Sequence, residues 1–234
     1  MLMKQEIPWN RLAVEAFVIV ASILLAFAID AWWTRYQESI EEQELLTGLR
    51  AEFLVNQELA AKKISVLQTA QENLRLFLRM NLDEVEKISP DEAMRMVVHP
   101  AHRSYTSDGM THAFLSATIN SGKLAVIDSA SLQAALIDTE VIESTVTLIE
   151  DDIRELTDRG MIELAKYWEL LPELWDSGNV HKEISGSTLR ILRANNDLMA
   201  LNAAKAQRLE VYINSHQRML DHLKHVVELI DQEI

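Results

Sequence analysis

Residues 12–33 read LAVEAFVIVASILLAFAIDAWW, and the inner stretch Ala16–Ile29, AFVIVASILLAFAI, carries no charged side chain. Twenty-two helical residues are about 33 Å long, which matches a hydrocarbon core of about 30 Å. Apolar residues occupy every position of the inner stretch but Ser22, so a helix here has no polar side to turn toward water. Aromatic rings flank it, with Trp9 before it and Trp32, Trp33 and Tyr36 after it, as in segments whose rings settle at the two membrane–water interfaces. Pro8 suits a first-turn position. Two other readings compete. A buried core helix needs no more than the uncharged stretch. A cleavable signal peptide would use Lys4 and Arg11 as its basic region and Ala26-Phe27-Ala28 as its small-residue site. The paired aromatics argue against the first, and the helical pattern running on through Trp32 and Trp33 argues against the second.

Glu15 and Asp30 are the ionisable residues of the span. Each lies within about one turn of an end, where a carboxylate reaches headgroups or water. We expect membrane-anchor and interface roles for Trp9, Glu15, Asp30, Trp32 and Trp33, with ion coupling through Asp30 as the rival role for an intramembrane acid. Small residues occur at Ala21 and Ala28, seven apart, and at Ser22 and Ala26, four apart. Such spacings let helices approach closely in lipid, so these four are the candidate helix-association residues. Lys4 and Arg11 precede the span, whereas Arg35 follows it among Glu38, Glu41, Glu42 and Glu44. The positive-inside bias places the N-terminus in the cytoplasm and the rest outside.

The whole chain has 234 residues and a net charge of −14, with Gly 6, Pro 4 and no Cys. Scarce helix breakers favour long helices over sheets. All but one of those negative charges lie beyond residue 33, so the domain is repelled by phosphate backbones and nucleic acid is excluded as a partner. Without cysteine there is no thiol nucleophile, thiolate zinc site or disulfide.

Beyond the span the helical pattern continues to about residue 80, with Leu46, Leu49, Phe53, Ala60, Ile64, Leu67, Leu74 and Leu78 at helical spacing and Gly48 as a candidate kink. Asn56 and Gln71 interrupt this seam. Glu52 and Asn56, four apart, are expected to set helix register as buried polar groups. Ser89-Pro90-Asp91-Glu92 forms a capping box opening a short helix to Val98. Further helices are expected over 108–120, with Gly122 past its end, over 128–137 with Asp128 as cap, and from Thr139 past Leu164, Tyr167 and Leu171, with a kink at Pro172, to an end by Ser177-Gly178-Asn179. A strand at 124–127 is the alternative for that short run. Ser187 caps a short helix to Ala194, and Asn195-Asn196 marks a break. The last helix has the cleanest seam: Leu209, Tyr212, His216, Met219, Leu223, Val226 and Ile230. Ile213, Leu220 and Val227 widen it from a coiled-coil seam toward bundle packing. The expected fold is all-α: a transmembrane helix (12–33), preceded by a short cytoplasmic N-terminus (1–11), continuing into an elongated antiparallel helical bundle (34–234).

Candidate sites are few. His99, His102 and His112 with Asp108 are chemically able to hold zinc, but no diagnostic spacing supports it, and we expect no metal or cofactor. His216 reads as a satisfied bundle histidine and His222 as exposed. His225 flanks the Val226 seam. Trp168 and Trp175 read as a core or interface stripe. Ser121-Gly122-Lys123 lacks the glycines of a phosphate loop, and no nucleophile elbow exists. No catalytic residue is assigned.

LLAFAIDAWW, followed by Glu44-Leu45-Leu46, Leu49, Glu52, Asn56 and Leu59, resembles the opening of uncharacterised bacterial single-pass inner-membrane helical proteins. In these a span ends Asp-x-Trp and leads into Leu-x-x-Glu-x-x-x-Asn, here Leu49, Glu52 and Asn56. Asn120-Ser121-Gly122-Lys123, with Ile127 and Leu132, resembles a later segment. The resemblance implies an inner-membrane protein with its domain in the periplasm, and it implies no activity. Three roles follow as expectations. The first is a non-enzymatic protein acting through assembly, as an accessory subunit of a membrane complex or a homo-oligomer. The second is a periplasmic ligand-sensing bundle relaying to a partner, although this sequence shows neither a second span nor an output domain. The third is a stator-like ion-coupling subunit, resting on Asp30.

Overall fold

Every residue of the expected C-terminal seam, from Leu209 through Tyr212, His216, Met219, Leu223 and Val226 to Ile230, is buried. They lie on α7, the last of the seven α-helices among the described residues of the computed structural model, which are 9–93, 110–167 and 186–234. In chain order these are α1 (Trp9–Arg79), α2 (Leu82–Val85), α3 (Pro90–Ala93), α4 (Ala113–Asn120), a 3-10 turn (Lys123–Val126), α5 (Ala130–Ala165), α6 (Gly186–Ala194) and α7 (Asn196–Glu233). Among the described residues there is no strand, and the fold is an all-α helical bundle.

Helix α7 lies between α1 and α5 and packs along both. Cross-links fix the directions. Arg50 pairs with Asp231, the Gln57 amide donates to the Leu223 carbonyl, and the Gln71 amide donates to the Ala206 carbonyl. Rising numbers on α1 meet falling numbers on α7, so the two are antiparallel. Glu150 to Tyr212 and Asp152 to Arg208 make α5 antiparallel to α7 as well. Residues 42–79 of α1 are about 57 Å long and α5 about 54 Å, so the three helices match in length.

The core divides along the bundle axis. One cluster joins Leu46, Leu49 and Phe53 of α1 to Leu132 and Leu136 of α5 and Leu223, Val226 and Ile230 of α7. The other joins Leu67, Leu74, Val146, Ile153, Leu209 and Tyr212. Each fully buried Leu or Phe contributes about 1.5–3 kcal/mol over remaining exposed.

At the end of α1 two capping boxes punctuate the chain, the second of them expected from the sequence. Asn81 and Glu84 form a capping box on α2, and the Ser89 hydroxyl accepts from the Glu92 N–H while Glu92 accepts from Ser89. Arg193 of α6 donates to the Leu78 and Met80 carbonyls, satisfying acceptors that the end of α1 leaves open. The Asn195 side chain caps α7 through the Leu198 N–H at 2.9 Å.

Several expectations change. Residues 128–165 hold one helix, α5, starting at Ala130. Thr139 does not cap a new helix: it is buried mid-helix with its hydroxyl donated to the Ala135 carbonyl. Asp128 gives its N–H to Glu42 and precedes the N-cap position, which is Ser129. Helix α4 starts at Ala113, not at 108. Residues 124–127 form the 3-10 turn and its cap instead of a strand. Gly122 sits at φ 75°, where a side chain would be strained. The expected extensions to Val98 and, past Leu171, to Ser177-Gly178-Asn179 lie outside the described residues.

Candidate membrane anchor and the clamp at its base

Residues 17–40 of α1 project from the bundle with every described side chain exposed. This arm is about 36 Å long, and it is the one candidate span among the described residues by length and apolar character. Phe17 is 73% exposed and Phe27 67%, and the exposed apolar side chains surround the helix. A soluble surface rarely carries an apolar patch of that extent. The aromatic end is ordered: Trp32 stacks on Tyr36 at 5.9 Å between ring centroids, and Trp33 lies 5.9 Å from the same ring.

Glu15 and Asp30 are both exposed. Fifteen helical residues separate them by about 22 Å, so in a 30 Å slab each lies within snorkelling reach of an edge. Trp9 belongs to α1, but its side chain lies outside the described ones. Ala21, Ser22, Ala26 and Ala28 are all on the exposed arm. At about 100° per residue, Ala21 and Ala28 share one face, and Ser22 and Ala26 share another roughly a quarter turn or more away. The four do not form a single stripe. The Ser22 hydroxyl donates to the Val18 carbonyl at 2.7 Å, inside its own helix.

Where the arm enters the bundle, α1 grips the segment 110–128. The Glu52 carboxylate accepts from the Phe114 and Leu115 N–H groups at 3.0 and 2.9 Å. It thereby caps α4 from another helix, because His112 at the N-cap position makes no side-chain cap bond. Asn56 is buried. Its amide donates to the Thr111 carbonyl at 2.9 Å, and its oxygen accepts from the Thr111 N–H at 2.8 Å, as a paired strand would. Glu42 accepts from the Asp128 N–H at 2.8 Å, and Glu41 pairs with Lys123 at 2.7 Å. The Phe114 ring occupies the space that a Cβ on Gly48 would need. Glu52 and Asn56, expected to set register between long helices, spend their hydrogen bonds on this connecting segment. Those bonds also explain the late start of α4, since Thr111 is held in a non-helical pairing.

His112 extends the clamp to α5. Its Nε2 lies 2.8 Å from Glu143 Oε1. The Nε2 is buried and lies within hydrogen-bonding distance of this carboxylate, although the bond is not well aligned. The Glu143 contact, helped by Glu52 and Glu140, raises the His112 pKa above its ordinary value against the opposing effect of burial.

The interior holds a few titratable groups. The Tyr212 hydroxyl donates to Glu150 at 3.0 Å, and burial followed by the Glu150 charge keeps the phenol protonated. The His216 ring stands edge-on to Tyr212 at 4.4 Å, bonds the Tyr212 carbonyl, and is pushed toward its neutral form by burial. His222, expected to be exposed, is half-buried and reaches the Ala135 carbonyl and the Thr139 hydroxyl, each at 3.0 Å. The exposure expectation failed because those partners sit 83 and 87 residues away. His225 is exposed. Lys205 is buried, and desolvation lowers its pKa to about 8. It lies one turn before Leu209 on the α7 seam, which is the signal that could have found it.

Among the described residues no three metal-ligating side chains gather. His99, His102, Asp108, Trp168 and Trp175 lie outside the described residues. Two open grooves of about 470 and 530 Å³ run along the outer face of α5 and α7 and share Leu156 and Ala204. Their charged walls are mixed, with Arg208 3.2 Å from Asp152. No nucleophile–base pair faces either groove among the described residues. Comparison with known protein families, with curated proteins and with solved structures finds no match to this chain.

Proposed function

We propose that this chain is a single-pass bacterial inner-membrane protein that works without catalysis, through assembly, as an accessory subunit of a membrane complex or as a homo-oligomer. Residues 12–33 span the bilayer, residues 1–11 lie in the cytoplasm, and the helical bundle stands in the periplasm. The observation that carries this reading is the arm of α1, apolar on all sides over residues 17–29 and covered by no other described element, on a bundle with its own buried core. The resemblance of LLAFAIDAWW and Leu49, Glu52 and Asn56 to inner-membrane proteins supports it, as does Lys4 and Arg11 preceding the span.

A parallel assembly would bring the Glu38, Glu41, Glu42 and Glu44 rings of neighbouring copies together. Two of these four are already engaged within the chain, Glu41 with Lys123 and Glu42 with the Asp128 N–H, which reduces the repulsion to be overcome. In lipid the hydrophobic effect gives helices no reason to associate, so close packing at small residues has to supply the attraction. Replacing Ala21 and Ala28 together with Leu should dissociate the detergent-solubilised complex and leave bundle stability unchanged, as read by native mass spectrometry and thermal melting. The same pair of changes at Ser22 and Ala26 tests the second face. If neither pair alters the assembly, the span is an anchor alone and the association proposed through it is wrong.

A further inference from the structure

The start of α4 is held to α1 by Glu52 and Asn56, through bonds to the backbone of Phe114, Leu115 and Thr111. Its polar tie to α5, among the described residues, is His112 to Glu143. That tie alone depends on a histidine. The charged groups facing His112 are Glu52 from α1 and Glu140 and Glu143 from α5. When the ring is neutral, its buried Nε2 has no well-directed partner, and a buried polar atom in that state costs free energy. When the ring is protonated, it meets carboxylates from both helices that flank it.

We propose that His112 is a proton-operated latch: protonated, it draws Glu143 in and seats the base of α4 on the bundle beside the root of the arm; neutral, it releases that tie. The direction of the response follows from the raised pKa. The extra stability is fully present below the ordinary histidine value and is lost as pH rises through the raised one. The other interior histidines act oppositely. Burial holds His216 and His222 below the ordinary value, with Lys63 and Glu150 facing the first and Asp138 and His225 the second. Protonating them weakens contacts of α7, and does so at lower pH than the latch closes.

The test uses the full chain in detergent micelles. Amide hydrogen exchange of Ala113–Asn120 is measured at about pH 6 and about pH 8, corrected for the intrinsic effect of pH. These amides should be about threefold better protected at the lower pH, and His112→Gln or Glu143→Gln should abolish the difference. Equal protection at both pH values, or a difference that survives His112→Gln, overturns the proposal. The unsubstituted chain gives a second reading by NMR titration of its histidine rings. His112 should titrate at higher pH than His216 and His222, and the reverse order would overturn the latch independently of any variant.

Discussion

Residues 17–40 and residues 45–79 belong to one helix, α1, yet the apolar side chains of the first are exposed and the seam of the second is buried. The difference lies in arrangement. In Ala16–Ile29 apolar residues occupy all sides, so no rotation of the helix can offer water a polar face. From Leu46 onward they recur at Leu49, Phe53, Ala60, Ile64, Leu67 and Leu74, a stripe wide enough to cover α7 and leave the other side polar. One helix therefore meets two environments, and the periodicity of its apolar residues marks where it passes from one to the other, between the Trp32–Tyr36 aromatics and Leu45.

The bundle half should break by losing volume, the arm by gaining charge. Phe53→Ala empties a fully buried site beside Leu49 and should lower bundle stability by about 3–5 kcal/mol, read by denaturant unfolding in micelles, with membrane fractionation unchanged. Ile23→Arg, near the middle of the arm, should do the reverse. It should reduce membrane integration, for which a central arginine costs about 2.5–3.5 kcal/mol, and leave the bundle melt where it was.

A second contrast lies within the bundle core. Lys205 is charged in the unfolded chain up to its ordinary pKa of 10.5 but loses its proton in the folded chain at about 8. Because the folded value is the lower one for a base, the penalty is present below that pH and is relieved as pH rises toward the unfolded value. The penalty is on the order of 3 kcal/mol. Lys205→Met should therefore stabilise the bundle at neutral pH and flatten its stability over the alkaline window. An unchanged melt would mean that the amine reaches water.

The clamp gives the smallest of these effects. Asn56→Ala leaves the Thr111 N–H and carbonyl without their paired acceptor and donor, a loss of about 1–3 kcal/mol. Hydrogen exchange should rise first at 111–120, ahead of the long helices. Uniform loosening of the whole bundle would show that Asn56 acts between long helices after all.

Local patterns made much of this legible. The α7 seam, the break at Asn195-Asn196, the Ser89–Glu92 box and the apolar stretch of the arm each declare themselves within a few residues. The start of α4 was not legible, because its cap comes from Glu52 and Thr111 is held by Asn56, more than fifty residues earlier. Asp128 and Thr139 looked like helix caps because short oxygen-bearing side chains serve caps and helix interiors alike. Here one gives its N–H to Glu42 and the other bonds back to Ala135. The partners of His222 and the burial of Lys205 are likewise set by helices brought together from distant parts of the chain.

The contrast between the two halves of α1 reduces to where each half resides, and site-directed labelling reads this directly. Gln68 is exposed on the bundle half, and the chain has no cysteine to compete. Gln68→Cys should react with a membrane-impermeant maleimide in intact spheroplasts, while Leu24→Cys in the arm should stay unreactive even after permeabilisation of the cells. Labelling of Gln68→Cys only after lysis would reverse the proposed orientation, and ready labelling of Leu24→Cys would contradict a bilayer around the arm.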